Sequence, residues 1–259
     1  MTLYDSIRDR IAREEAFVVA TVIAGPEGVG RKVIIHSDGR VEGDLGMTGQ
    51  ESAIIESALA CLARELSDTA SFEVDRQRYE VFFDSFVPPP KLVIVGAVET
   101  AQALTRFAKQ LGYRVIVTDA RAAFVTPERF PEADELLKGW PQDVLPGIRF
   151  DDSTYVVLLS HDPKFDEPTL RHILPLAVKY IGAIGSRRTQ QQRRERLLAE
   201  GFDAVTVDAI HGPIGLDLGG RSAEETAISI LAEVTAVRHG KTGGMLGRAF
   251  TNSRAQESS

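Results

Sequence analysis

A single cysteine, Cys61, stands in the whole chain, which excludes an internal disulfide and any metal site built from several thiols. No run approaches the roughly 20 apolar residues of a membrane-spanning helix, so no membrane span is expected. The opening MTLYDSIRDRIAREE is charged throughout and lacks the apolar core of a secretory signal, which makes a cytoplasmic location the expectation. Basic residues are short too: 30 Lys and Arg against 37 Asp and Glu leave a formal charge of −7, the wrong sign for a nucleic-acid binder. Of five histidines, His36, His172 and His239 fall at no ligand spacing, so no metal site is expected. What remains is ordinary for a soluble folded protein, 43% hydrophobic and 26% charged, and 259 residues are enough for two domains.

The stretch from Pro88 to Arg121 organises the rest. Lys91–Val95 is a short apolar run of the kind that forms a buried parallel strand, followed by a turn at Gly96. From Glu99 to Leu111 the apolar residues Ala103, Leu104, Phe107, Ala108 and Leu111 make a helical stripe. Gly112 stops that helix, and Tyr113–Thr118 forms a second buried strand ending in Asp119. Strand, glycine turn, helix, strand and acid open a dinucleotide-binding fold. The fold class expected is α/β: a C-terminal Rossmann-like parallel-sheet domain after a smaller N-terminal α+β domain. The stiff Pro88-Pro89-Pro90 connector marks the boundary, giving 1–87, 88–240 and a polar, flexible tail, 241–259.

The phosphate-binding turn itself is altered. Where G-x-G-x-x-G/A is required, the chain has Gly96-Ala97-Val98-Glu99-Thr100-Ala101. The tight turn and the small packing residue are kept. The middle glycine, which lets backbone approach a pyrophosphate, is the β-branched Val98, and Glu99 adds a repelling carboxylate. Asp119, 23 positions beyond Gly96, keeps the spacing of a ribose-binding acid. NAD(P) binding is therefore disfavoured, although the fold is not.

Ahead of the connector, a helix with a Leu3, Ile7, Ile11 stripe precedes strands at 17–24, 31–36 and 41–45. A helix through Ile54, Ile55, Ala58, Leu59 and Leu62 then leads to a strand at 79–83. Ser37-Asp38-Gly39 supplies a hairpin turn. Beyond Asp119, a short strand is expected near 134–137, then strands at 155–160 and 180–184. A helix opened by Asp166-Glu167-Pro168 lies between those two, and a charged helix runs to Glu200. Residues 205–210 lead into the loop HGPIGLDLGGRS, and Ser222 with Glu225 form a capping box for a helix reaching about Arg238.

Ligands of open parallel sheets bind beyond the carboxyl ends of the strands. Gly185-Ser186-Arg187-Arg188 is the sharpest candidate there: a small-residue turn with two arginines can grip a phosphate, or the arginines are simply solvated or paired with acids. Ser160-His161-Asp162 is no catalytic triad, because adjacent residues cannot align as nucleophile, base and orienter. His161 is left as a ligand contact, a donor to a carboxylate or a turn cap. The loop holding His211, Gly215 and Asp217 is unusually apolar and either packs into a cleft or interface, or is a structural corner with His211 bonded to backbone. Gly25–Arg31 is an anion cradle or a plain connection, and Cys61 is a buried helix residue or a reactive thiol.

Six segments together, PPPKLVIVGA (88–97), LGYRVIVTDAR (111–121), SHDPKFD (160–166), YIGAIGSRR (180–188), HGPIGLDLG (211–219) and AEETAISILAEVTAVR (223–238), resemble the XdhC/CoxI family. These are accessory proteins in the maturation of molybdenum hydroxylases such as xanthine dehydrogenase. The resemblance implies a small N-terminal domain before a Rossmann domain. It also implies binding of the molybdenum cofactor (molybdopterin or its cytosine dinucleotide) and delivery to a xanthine dehydrogenase-like hydroxylase, with a cysteine desulfurase supplying sulfur. Such a chaperone has no catalytic residue of its own. The cofactor's phosphate would be held by Gly185, Ser186, Arg187 and Arg188, with Gly96, Ala97, Asp119, Arg121 and His161 lining the cleft and His211, Gly215 and Asp217 closing it. A homodimer through the last loop and the N-terminal domain is expected. The chain departs from the family where many members have G-A-G-H, here Gly96-Ala97-Val98-Glu99. It departs again in the N-terminal segment 45–51, which lacks the family's cysteine and so leaves sulfur to a partner. The rivals are a nicotinamide-dependent oxidoreductase and a protein–protein adaptor that binds no ligand.

Overall fold

The computed structural model describes residues 3–160 and 162–248, and the chain divides between Pro88 and Pro89. In the first unit the order is α1 (Leu3–Ala12), β1 (Phe17–Ala24), β2 (Lys32–His36), β3 (Val41–Glu42), α2 (Glu51–Arg64), β4 (Asp68–Val74) and β5 (Gln77–Phe86). The strands form an antiparallel sheet ordered β3-β2-β1-β5-β4. Its central strand, FVVATVIA, is apolar on both sides because both faces are covered. Val18, Ala20 and Val22 join the α2 cluster, while Phe17 and Val19 pack with Ile34 and, from α1, Leu3 and Ile7. Cys61 is buried in α2, and burial pushes its thiol pKa up.

The second unit contains β6 (Lys91–Val95), α3 (Glu99–Gln110), β7 (Arg114–Asp119), β8 (Glu135–Lys138), α4 (Pro141–Val144), β9 (Thr154–Leu158), α5 (Pro163–Ile173), β10 (Tyr180–Ala183), α6 (Arg187–Ala199), α7 (Ala204–Asp208) and α8 (Ala223–Arg238). Its sheet is wholly parallel and ordered β10-β9-β6-β7-β8. Strands β6 and β9 are buried at every position, since helices lie on both faces. Leu92 and Ile94 pack with α3 and α8; Val93 and Val95 pack with α5, α6 and α7. The chain winds outward from β6 to β8, then returns to β9 on the other side of β6. The topological switch point thus lies between β6 and β9. At the opposite end of β6, Lys91 Nζ donates to Asp151 Oδ2 at 2.7 Å and to the Arg149 carbonyl at 2.9 Å.

Several elements differ from expectation. The strand expected over 41–45 pairs only at Val41 and Glu42. Strand β4 is announced by no residue pattern: it is an edge strand joined to β5 through Asp75 and Arg76, both at positive φ (51° and 65°). Helix α5 begins at Pro163 under an Asp162 cap rather than at Asp166, so Pro168 lies inside it. The approach to the last loop contains a helix, α7, capped by Asp203. Within the stretch expected to be a flexible tail, Leu246–Arg248 forms a 3-10 turn; residues 249–259 lie outside those described. No described helix is long and apolar enough to cross a membrane.

Candidate functional site

The carboxyl edge of the parallel sheet carries three groups of the expected residues. At the switch point, Gly96 adopts φ +111°, and a Cβ there would stand 2.9 Å from the Ser160 amide nitrogen. Only glycine lets the β6 turn pass so close to the end of β9. Ala97 is buried, and its N–H donates to Asp119 Oδ2 at 2.9 Å. Asp119 is 2% exposed. Its Oδ1 accepts from Arg121 N–H and Nε, both at 2.9 Å, and its Oδ2 also accepts from Arg121 Nη2 at 2.7 Å. Burial alone would raise this carboxyl's pKa, but the Arg121 and Ala97 hydrogen bonds outweigh it and hold the group below its ordinary value. With four donors on two oxygens, Asp119 ties β7 to the β6 turn; Arg121 is half exposed, its guanidinium lying 4.5 Å over the Phe124 ring. Val98 starts α3 with no side-chain cap, and Glu99 sits in its first turn.

The β10 turn is built differently. Gly185 (φ +133°) precedes Ser186, whose Oγ caps α6 by accepting from Thr189 N–H at 3.2 Å. Arg187 and Arg188 are exposed, and neither forms an ion pair with a described residue. Beneath them lies a buried polar cluster that sequence reasoning missed. Arg193 Nη2 donates to Asp166 Oδ2 at 2.8 Å with both side chains almost wholly enclosed, and Arg193 Nη1 also donates to Gln190 Oε1. Gln190 Nε2 in turn donates to the Ala183 and Ile184 carbonyls at 3.0 and 3.3 Å, so the turn rests on α6 through its own backbone.

The third group belongs to the last loop, which lies along the outer edge of β10. His211 N–H donates to Ile181 O at 2.8 Å and Ala183 N–H to His211 O at 2.9 Å, a parallel bridge beside Gly182. Three donors converge on Glu233 of α8: Tyr180 Oη at 2.6 Å, Gly215 N–H at 2.8 Å and His211 Nδ1 at 3.1 Å. Burial opposes ionisation of Glu233, yet the bonds from His211, Tyr180 and Gly215 leave its pKa lowered; burial and then the Glu233 bond push Tyr180 up. Gly215 (φ +98°) is required because a Cβ would meet Ser229 Oγ at 2.5 Å. Part of the loop's apolar surface is used within the chain: Ile214 packs on the core, while Leu218 is 57% exposed. Asp217 is exposed and bonded to no described group. His161 lies outside the described residues.

Gly96, Ala97, Asp119 and Arg121 therefore form one unit, Gly185–Arg188 a second two strands away, and His211 with Gly215 a third. Tyr180 and Glu233 were the residues missed in the last. Among the described residues, no three His, Cys, Asp or Glu side chains cluster as metal ligands would.

A doubly wound parallel sheet with its turns gathered at a switch point defines a Rossmann-type domain, here preceded by an antiparallel α+β unit. Residues 92–234 match the XdhC Rossmann domain and residues 10–73 match the XdhC and CoxI family; the chain belongs to that family. Among curated proteins, it is 30% identical over 162 residues to a protein of Bacillus subtilis (strain 168) named as a probable xanthine dehydrogenase subunit, covering 62% of this chain and 47% of that one. It is 30% identical over 153 residues to the molybdenum cofactor insertion chaperone PaoD of Escherichia coli (strain K12), covering 59% and 42%. The chain thus spans less than half the length of these relatives. A crystal structure of a xanthine dehydrogenase from Bacillus halodurans shares the fold, with TM-score 0.53 and 19% identity over 95% of this chain and 98% of that one.

Proposed function

We propose that the chain is an accessory protein that holds the molybdenum cofactor and passes it to a molybdenum hydroxylase of the xanthine dehydrogenase kind. Family membership supports the accessory role, and the relative named as a cofactor insertion chaperone supports the cargo. The observation that carries the reading is the contrast at the sheet edge. The turn that would cradle a diphosphate has Val98 and Glu99, and Asp119, the ribose-binding candidate, is saturated by the chain's own donors. The β10 turn instead offers two exposed arginines without acids. That donor set fits a single phosphate better than a nicotinamide dinucleotide.

In this reading Gly185–Arg188 grip the phosphate of molybdopterin, or one phosphate of the diphosphate in its cytosine dinucleotide, and the pterin lies along Gly96, Ala97 and Arg121. His161, His211, Gly215 and Asp217 bound the site, and Asp119 holds Arg121 in place. Cys61 is a structural thiol, 4% exposed, so a cysteine desulfurase partner supplies any sulfur. The protein acts as a chaperone, not a catalyst, and works as a homodimer.

The test is co-expression with a xanthine dehydrogenase-type hydroxylase, purification of the chain and oxidative fluorescence assay for bound pterin. Pterin in the wild type, lost in the Arg187→Gln/Arg188→Gln double variant, is expected. Pterin-free protein from repeated preparations would reject the proposal.

A further inference from the structure

One face of α6 is unusual for a helix packed on a neighbour. Arg187, Gln190, Gln191 and Arg194 fall at i, i+3, i+4 and i+7, the spacing of a packing stripe, yet none is apolar. Facing α7, this stripe leaves a cavity of about 210 Å³, closed on its other side by Val207, Asp208, Ile210 and Gly212.

The charges around it do not balance. Arg194 Nε donates to Asp208 Oδ1 at 2.6 Å, and Arg193 is neutralised by Asp166. Gln190 is engaged by backbone carbonyls and Gln191 Nε2 by Glu195 Oε1 at 2.9 Å. Arg187 alone among the cations of the wall has no described acid, and Asp208, the one acid of the wall, is already paired. The helix end is not what is on offer, since Ser186 caps it. Arg188 does not line the cavity.

We infer that this cavity is an oxyanion site in which Arg187 takes the phosphate group of a ligand. The planar guanidinium presents a fork that matches two phosphate oxygens, and one uncompensated positive charge calls for one anion. The space is several times the roughly 30 Å³ that one water occupies in the liquid, enough for a phosphate and a few waters. The site rests on the cofactor reading above only for what bears the phosphate.

The experiment is a titration of the full chain with inorganic phosphate at low ionic strength, followed by calorimetry and by ³¹P line broadening. Wild type, Arg187→Gln and Arg149→Gln are compared, with far-UV circular dichroism confirming that each is folded. Arg187→Gln weakens phosphate binding by about tenfold or more, the loss of one charge-assisted contact, while Arg149→Gln, which removes the same charge at the opposite end of β6, leaves it nearly unchanged. No binding by the wild type at millimolar phosphate overturns the inference, and so does an equal or larger loss in Arg149→Gln. The two ideas fail separately: pterin retained on co-expression without phosphate binding rejects the oxyanion site and spares the chaperone. Phosphate binding through Arg187 in protein that never carries pterin does the reverse.

Discussion

The turns after β7 and β10 stand at the same edge of one sheet, and both set arginine beside small residues, yet they are opposite in charge economy. Strand β7 ends in Asp119, so its arginine finds an acid two residues away and the pair closes on itself. Strand β10 ends in Ala183 and runs on through Ile184-Gly185-Ser186, with no acid, and its arginines are exposed. The lesson is that an arginine's availability is decided by where the strand leaves a carboxylate, not by the arginine. The β10 turn keeps its shape by another route, through the buried Arg193–Asp166 pair and Gln190 beneath it.

Removing that support is the most damaging change. Asp166→Ala strands a guanidinium whose side chain is 5% exposed, and leaving one partner of a buried pair uncompensated costs about 3–5 kcal/mol. Urea unfolding should register a loss of that size; a loss under about 1 kcal/mol would mean the turn does not depend on the pair.

Asp119→Ala attacks the other turn and should cost less. Arg121 is already half exposed and regains water, so the penalty is concentrated in the buried Ala97 N–H, about 1–3 kcal/mol. The same denaturation series measures it, and the comparison sharpens if Asp119→Asn recovers part of the loss by accepting from Ala97.

Acid provides a third handle, at the far end of β6. Burial would raise the Asp151 pKa, but Lys91, Ser153 and Thr154 pull it down from 3.8 to about 2. Because the folded value is the lower one, this pair stabilises fully above about pH 4, and its contribution fades as pH falls through about 2. The amount at stake is about 2 kcal/mol. The stability gap between wild type and Asp151→Asn should therefore narrow over that interval. A gap independent of pH would show that folding does not lower the Asp151 pKa.

Much of this frame is legible from residue patterns. Strands β1, β6 and β7 announce themselves as apolar runs, Gly96 and Gly112 mark their turns, and Ser222 with Glu225 does form a capping box. Strand β4 is hidden because DTASFEV is half polar on an open edge and its turn uses Asp75 and Arg76 at positive φ, where glycine or asparagine would have been the signal. The start of α5 is easily misplaced because Pro168, tolerated within the helix, mimics a first-turn proline. At the site, the turn glycines and arginines can be found by their place after strands. Their partners cannot: Asp166 lies 27 residues from Arg193, and Glu233 lies 22 from His211. A faint sign exists, since Arg193 shares a buried stripe with Leu197, and Glu233 lies three residues after buried Ile230. A charge on a buried stripe demands a counterpart, but periodicity does not say which one.

The smallest effect on stability is the one that separates function from architecture. Arg187→Gln and Arg188→Gln remove exposed side chains that pair with no described residue, so each should shift the unfolding free energy by no more than about 0.5 kcal/mol. Relieving repulsion between two adjacent cations at the start of α6, where the helix dipole also disfavours positive charge, could even make the sign stabilising. Residues kept for the fold behave like Asp166, whose loss is felt throughout the domain; residues kept for a ligand are quiet until the ligand arrives. If either arginine substitution instead cost as much as Asp119→Ala in ligand-free protein, that arginine would be structural, and the contrast between the two turns would collapse.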